Sequence, residues 1–173
     1  MRREEVKGDR KITIQPMTAA DLDAVMRIEE ASYTQPWKRS MFETDLRGNP
    51  FARFFVARDA DAGAVTGYVC FWKVFAELHL MNLAVDPDRR RSGIGEELAR
   101  WTLSWAGENG VRLITLEVRA SNEAAKHLYD KLGFKRVGVR HNYYRDPRED
   151  ALIMNWSEGS PLEKEVGDDG ETV

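Results

Sequence analysis

Alternation of apolar and polar residues predicts most of the regular structure in this chain. The segment KITIQPM alternates in this way and is rich in β-branched residues, which is typical of a strand with one buried face. The segment VRLITLEV is short and almost wholly apolar, as in a strand buried on both faces. The predicted strands cover 11–17, 51–59, 64–74, 76–86, 111–118, 135–144 and 149–156.

Apolar residues that recur every three or four positions predict four helices between these strands. The first helix covers 18–32, and Thr18 with Asp21 three residues later forms a capping-box-like start. One face of this helix carries Leu22, Val25, Met26 and Glu29. The other helices are predicted after Pro36 as far as Gly48, from the SGIG segment to Gly110, and over 121–134.

The order of the predicted elements is β-α-α-β-β-β-α-β-α-β-β. A mixed order of this kind indicates an α/β or α+β fold, with helices packed on a central sheet. The chain has 173 residues, enough for one domain. We expect a flexible N-terminus at 1–10, the folded domain at 11–156 and an acidic, disordered tail at 157–173, because the ends lack bulky apolar residues.

Composition narrows the possible function classes. The formal net charge of −3 argues against a general nucleic-acid binder. The sequence has neither an apolar run long enough for a bilayer nor a secretory signal, so we expect a cytoplasmic protein without a membrane partner. The single cysteine, Cys70, reads as a small core residue and fits a reducing compartment. His79, His127 and His141 lack metal-ligand spacing, so no metal is expected.

The stretch DRRRSGIGEELARW, residues 88–101, follows a predicted strand and opens a helix. The first N–H groups of a helix have no helical partners and attract anions, and glycine lets the backbone approach a phosphate closely. Arg89, Arg90 and Arg91 add positive charge. The stretch therefore suggests a pyrophosphate site, although a glycine-rich turn with a solvated basic rim explains the same residues. It matches neither the dinucleotide fingerprint, since position 98 is Leu, nor a Walker A loop.

The wider sequence resembles the GNAT superfamily of N-acetyltransferases, and within it the RimI-type ribosomal-protein-alanine N-acetyltransferases. The resemblance rests on the pattern Q/R-x-x-G-x-G/A at 90–95 and on the segments NLAVDP, LEVRASN, LYDKLGF, NYY and EDALIM. It covers about residues 11–156. It implies a mixed sheet of about seven strands with a splayed centre and about four helices on both faces.

The resemblance also implies that acetyl-CoA is the co-substrate. The loop and the strand before it would bind acetyl-CoA, with the pyrophosphate on backbone amides and the pantetheine along the strand. The implied contacts are Leu83, Ala84, Val85, Arg90, Arg91, Ser92, Gly93, Ile94, Gly95, Glu96 and Asn122. Asn122 has a second explanation, because it stands where it would cap the next helix.

Glu117 and Tyr129 are the candidate catalytic residues. Glu117 lies near the end of an apolar strand, where we expect burial to raise its pKa and suit it as a general base. It could also face water or pair with Arg119. Tyr129 lies on the apolar stripe of its helix and reads as a core residue. The resemblance implies that Glu117 is the base and Tyr129 the acid that protonates the leaving thiolate.

Trp37, Tyr143 and Tyr144 are the candidate residues for binding a peptide. The resemblance implies that the tyrosine pair holds the substrate backbone and that the loop at 33–38 forms the opposite wall, although Trp37 could equally be a packed anchor. His141 stands where the family commonly has arginine.

The expected function is transfer of acetyl to the N-terminal α-amine, most simply of alanine, of a small-subunit ribosomal protein. The expected enzyme is a monomer that does not bind nucleic acid directly. Two alternatives stay open: an acetyltransferase for lysine side chains or a small amine, and a non-catalytic module that binds acetyl-CoA.

Overall fold

The computed structural model describes residues 11–159 and contains seven strands and four α-helices in the predicted order. The strands are β1 (Ile12–Pro16), β2 (Ala52–Asp59), β3 (Val65–Val74), β4 (Glu77–Val85), β5 (Leu113–Arg119), β6 (Lys135–Tyr144) and β7 (Glu149–Ser157). The helices are α1 (Leu22–Ser32), α2 (Arg39–Gly48), α3 (Ile94–Glu108) and α4 (Glu123–Lys131). The expected flexible segment 1–10 lies outside the described residues, and so does the expected tail 157–173 apart from its first three residues. Ser157 was expected in the tail but is the last residue of β7, where it pairs with Leu113.

The strands form one mixed sheet in the order β1-β2-β3-β4-β5-β7-β6. All neighbours are antiparallel except β4 and β5, which are parallel and joined through α3. The α/β fold with helices on both faces, predicted from the sequence, is therefore confirmed.

Side chains that alternate along the central strands separate two apolar cores. On β2, Val56 belongs to the core under α1 and α2, whereas its neighbour Ala57 belongs to the core under α3 and α4. Tyr68 and Val69 divide in the same way on β3. This period of two is the pattern that made the strands predictable.

The first helix begins differently from the prediction. Residues Ala19–Asp21 form one turn of 3-10 helix before α1. The Asp21 carboxylate accepts the Thr18 N–H at 2.9 Å, as the predicted capping box requires, and it is also paired with Arg58 of β2. The Asp21 side chain is buried, and the Asp21 N–H donates to the Thr18 carbonyl at 3.0 Å, the three-residue spacing of a 3-10 turn.

The centre of the sheet is splayed, as the resemblance implies. The parallel ladder of β4 and β5 runs from Glu77 opposite Leu113 to Leu80 opposite Leu116 and ends there, although both strands continue. At this point the register of β4 against β3 skips Met81, which is a β-bulge. Beyond the bulge β4 follows β3 and β5 follows β7, so a gap opens between them.

None of the helices within residues 11–159 has both the length and the apolar character needed to cross a bilayer.

Candidate active site

A cavity of about 550 Å³ fills the gap between the separating ends of β4 and β5. The loop between α1 and α2, the start of α4 and the β6–β7 hairpin complete its walls. Seven of the residues predicted from the sequence line it together: Trp37, Leu83, Glu117, Asn122, Tyr129, Tyr143 and Tyr144. The remaining predicted cofactor contacts lie outside the lining of this cavity. They are Ala84 and Val85, which follow Leu83 on β4, and the loop 90–96 after that strand.

The loop before α3 has the backbone of an anion site. Gly93 is the N-cap residue, with φ of 85°, and Arg91 also has a positive φ, of 61°. The first helical bond runs from the Glu97 N–H to the Gly93 carbonyl at 3.0 Å. The N–H groups of 94–96 precede that bond and have no acceptor one turn earlier in the helix. A Cβ on Gly93 would have no protein atom within 4 Å apart from those of its chain neighbours, so the space beside this backbone is open.

Two of the three arginines before this loop are already engaged within the protein. Arg89 pairs with Asp59 at 3.1 Å. Arg90 donates to the Val85 carbonyl at 3.3 Å and to the Ser32 hydroxyl at 3.0 Å. Arg90 thus ties the end of α1 to the end of β4 as well as carrying charge beside the loop.

Glu117 makes a contact that the sequence analysis did not find. The His79 Nε2 and the Glu117 Oε2 are 2.6 Å apart, and the Glu117 side chain is only 10% exposed. Arg140 lies 3.7 Å from the other carboxylate oxygen. The hydrogen bond from His79 outweighs burial and lowers the pKa of Glu117 below its ordinary value. The expectation of a raised pKa is therefore wrong, because it counted burial and lacked the donor.

A register argument explains why His79 and Glu117 meet. His79 pairs with Thr115 across the parallel ladder, and Glu117 is two residues further along β5, on the same face of the sheet. The period of two along each strand predicts that Thr115 and Glu117 face the same side of the sheet. It could not be used, because the sequence alone does not say which residues pair across a crossover.

Tyr129 is buried and also lines the cavity. Tyr129 is 8% exposed, and its ring packs edge-on against the ring of Phe134, with the ring centres 5.3 Å apart. Burial raises the pKa of the Tyr129 hydroxyl above its ordinary value. The hydroxyl therefore keeps its proton at neutral pH, as a proton donor must.

Asn122 caps α4, since its Oδ1 accepts the Ala125 N–H at 3.1 Å. Its place in the cavity lining leaves room for the second, ligand-binding role as well.

The paired tyrosines are held by arginines. The Arg119 guanidinium lies over the Tyr144 ring at 4.2 Å, and Arg140 lies over the Tyr143 ring at 5.6 Å. Arg119 also pairs with Glu149 at 3.3 Å. The alternative considered from the sequence, an ion pair between Arg119 and Glu117, is therefore replaced by this one. Tyr143 is about half exposed. Tyr144 is partly buried, which raises its pKa to about 12.

Trp37 is a packed anchor that also lines the cavity. Its ring lies 5.4 Å from that of Phe42, centre to centre, and its backbone N–H donates to the Glu29 carboxylate at 2.9 Å. Glu29 was predicted on the same face of α1 as Leu22, Val25 and Met26, but its place in the cavity lining was not predicted. Cys70 is buried in the core, as expected.

Within residues 11–159, no group of three or more His, Cys, Asp and Glu side chains is arranged to hold a metal ion.

Comparison with known proteins identifies the class. The Acetyltransferase (GNAT) family matches residues 22–134. The chain belongs to this family of acetyltransferases, and the resemblance drawn from the sequence is confirmed. Among its relatives, the ribosomal protein bS18-alanine N-acetyltransferase of Escherichia coli (strain K12) is 37% identical over 144 residues, which are 82% of this chain and 95% of that protein.

Solved structures agree with the sequence comparison. The crystal structure of the ribosomal-protein-S18-alanine N-acetyltransferase from Escherichia coli superposes with a TM-score of 0.77 at 36% identity, covering 85% of this chain and 94% of that one. Ard1 from Thermoplasma volcanium superposes with a TM-score of 0.75 at 29% identity, covering 84% and 97%.

Proposed function

We propose that this protein transfers the acetyl group of acetyl-CoA to the N-terminal α-amine of a protein, with alanine as the first residue. The observation that carries the proposal is the cavity at the splayed strands, into which Glu117 and Tyr129 both project from the walls. Family membership supplies the reaction class, and the proposal adds the amine and the residue roles.

The anion loop and β4 would hold acetyl-CoA. The free N–H groups of 94–96 and the open space at Gly93 suit a pyrophosphate. The strand segment 83–85 leads from that loop to the cavity, and its backbone would pair with the pantetheine arm. An N–H from this segment would stabilise the oxyanion that forms when the amine attacks the thioester.

Glu117 would act as the base, with His79 holding its carboxylate in place. With a lowered pKa, Glu117 is a weaker base than burial alone would make it. It is still adequate for the proton that leaves the nitrogen after attack, because that nitrogen has become strongly acidic. The amine must then arrive already neutral, which places a demand on the substrate.

That demand favours an α-amine over a lysine side chain. With reference pKa values of about 8 and about 10.4, roughly a quarter of α-amines but only about a thousandth of lysine amines are neutral near pH 7.5. A weak base at position 117 can use only amines that are already neutral, and it therefore favours an α-amine over a lysine side chain more strongly than a strong base would.

Tyr129 would complete the reaction as the acid. Its hydroxyl stays protonated at neutral pH, because burial raises its pKa, and it borders the cavity. Tyr129 would give its proton to the leaving thiolate to form the CoA thiol and would take a new one from solvent, while Glu117 would release to solvent the proton that it took from the amine. The acetyl group would pass directly to the amine, with no acyl-enzyme.

Tyr143, Tyr144 and Trp37 would form the walls of the peptide site. The two arginines stacked on the tyrosine rings fix that wall. The substrate would be a small-subunit ribosomal protein, as the names of the relatives indicate for those proteins. We also propose the cytoplasm as the location and a monomer as the active form.

A panel of acceptors tests this proposal by release of CoA. The panel holds a peptide that begins with alanine, the same peptide with an acetylated N-terminus, and spermidine. We expect turnover with the first alone. Turnover with spermidine at an equal rate would favour the small-amine alternative, and acetyl-CoA binding without turnover of any acceptor would favour the non-catalytic one.

A further inference from the structure

A carboxylate is buried beside the cavity, and the mechanism above does not use it. Glu29 lies one turn before the end of α1 and is 1% exposed. Burying an ionised carboxylate is costly unless charges or hydrogen bonds compensate. Among residues 11–159, no Lys, Arg or His nitrogen forms an ion pair with Glu29 within 4.0 Å. Hydrogen bonds must therefore supply the compensation.

Three donors from three different elements supply it. The backbone N–H of Trp37, in the α1–α2 loop, donates to Oε1 at 2.9 Å. The Asn82 amide on β4 lies 3.2 Å from both carboxylate oxygens, and the Tyr68 hydroxyl on β3 donates to Oε2. Both oxygens of Glu29 are thus occupied by donors of the protein itself. Such a group is poorly placed to accept a proton from a substrate.

The placement of these donors is informative. Asn82 follows the bulged Met81, where β4 turns away from β5. The Tyr33 hydroxyl adds a parallel tie, because it donates to the Leu83 carbonyl at 3.2 Å. Two contacts therefore join the α1–α2 loop to residues 82–83, which border the gap on its acetyl-CoA side.

We propose that Glu29 is a positioning residue that fixes the α1–α2 loop against the bulged segment of β4, and so sets the width of the cavity that receives the peptide N-terminus. The proposal rests on the proposed function only for the identity of the peptide. Glu29 acts through Trp37 and Asn82 and touches no reacting atom.

Burial raises the pKa of Glu29, while its hydrogen bonds with Tyr68, Trp37 and Asn82 lower it in part. A direct role in proton transfer would therefore appear as a change in the pH profile. A positioning role would not change that profile, and this difference separates the two.

The test uses Glu29→Gln, which keeps the size of the side chain but presents an amide NH₂ to donors. The matched control is Glu30→Gln, an exposed neighbour on the same helix with the same change of charge. Hydrogen exchange of residues 33–38 and 82–83 is measured without substrate. We expect faster exchange of both segments in Glu29→Gln, and wild-type exchange in Glu30→Gln.

Kinetics provide the second readout. We expect Glu29→Gln to raise KM for the alanine peptide by about tenfold, the usual scale for one hydrogen bond to a charged group, and to weaken acetyl-CoA binding as well, because the loosened segment includes Leu83. The pH profile of kcat/KM should keep its shape. If Glu29→Gln does not fold, Asn82→Ala removes one donor and should give the same exchange and KM changes.

Wild-type exchange in both segments for the folded variant would overturn the proposal, and so would the loss of one limb of the pH profile in Glu29→Gln. Because the exchange measurement needs no substrate, it stands even if wild-type protein does not acetylate the peptide. Failure of the proposed function is thereby distinguished from failure of this inference.

Discussion

At the scale of single residues, the contact between His79 and Glu117 determines the character of the site. The two atoms are 2.6 Å apart, and this hydrogen bond is the largest influence on the pKa of Glu117. The sequence predicted the carboxylate and its burial but not its donor. It therefore predicted the wrong direction of the pKa, and with it a stronger base than the structure supports.

His79→Ala should move the acid limb of activity to higher pH. In wild type, Glu117 stays ionised to below its ordinary range, so the base form persists as the pH falls. Without His79, burial is the main remaining influence and raises the Glu117 pKa, so protonation and loss of rate begin at a higher pH. The measurement is kcat/KM divided by the neutral fraction of the peptide α-amine, against pH from about 4 to 8, so that the limb reports Glu117 and not the amine. His127→Ala, an exposed histidine on α4 outside the cavity lining, is the control, and an unchanged acid limb in His79→Ala would contradict this account.

Tyr129→Phe should keep the fold and lose rate. The ring packs on Phe134 and is buried, so removing only the hydroxyl leaves that packing intact. Loss of a general acid lowers kcat by about 10²-fold. Thermal unfolding and kcat are measured together. If kcat keeps its wild-type value while the melting temperature also holds, Tyr129 is a core residue alone.

At the scale of elements, we propose ligand contacts at the starts of α3 and α4. The geometry of a helix N-terminus supports the first, and the family resemblance implies the second. The anion loop was predicted from the order of strand, loop with two glycines and helix in the sequence. The structure adds the positive φ at Gly93. The role of Arg90 could not be predicted, because its partners Val85 and Ser32 come from distant parts of the chain.

Gly93→Ala should weaken binding of acetyl-CoA and cost about 1 kcal/mol of stability. The φ of 85° disfavours any residue with a Cβ, and that Cβ would project into the open space proposed for the phosphate. Gly107→Ala, later in the same helix, is the control, because its Cβ meets nothing within 4 Å and the site lies elsewhere. Calorimetry with acetyl-CoA gives the affinity, and equal affinities for wild type and Gly93→Ala would remove the phosphate assignment.

Two substitutions of Asn122 should separate its role as the cap of α4 from its proposed role in binding acetyl-CoA. Asn122→Ala loses the cap of α4 and about 1 kcal/mol of unfolding free energy, whereas Asn122→Asp retains an acceptor for the Ala125 N–H. If the amide also contacts pantetheine, Asn122→Asp stays stable but binds acetyl-CoA more weakly. Unfolding by urea and calorimetry measure the two effects. Wild-type affinity in a stable Asn122→Asp would leave the cap as its sole role.

At the scale of the whole molecule, the element order and the two-faced sheet could be predicted from the sequence. The alternation of buried side chains along a strand is set by residues that are neighbours in the sequence. Val56 and Ala57 face different cores for that reason. What could not be predicted is the meeting of elements distant in the chain. Examples are Glu29 with Asn82 and Arg119 with Tyr144, since local periodicity contains no information about which elements become neighbours.

The central claim is that the cavity acetylates an N-terminal α-amine with Glu117 as base. The most direct measurement uses one peptide with a free N-terminal alanine and one internal lysine, and locates the acetyl group by mass spectrometry. The account predicts acetylation on the α-amine alone by wild type, and a rate about 10²-fold lower with Glu117→Gln at unchanged acetyl-CoA affinity. Acetyl on the lysine, or a wild-type rate from Glu117→Gln, would contradict it.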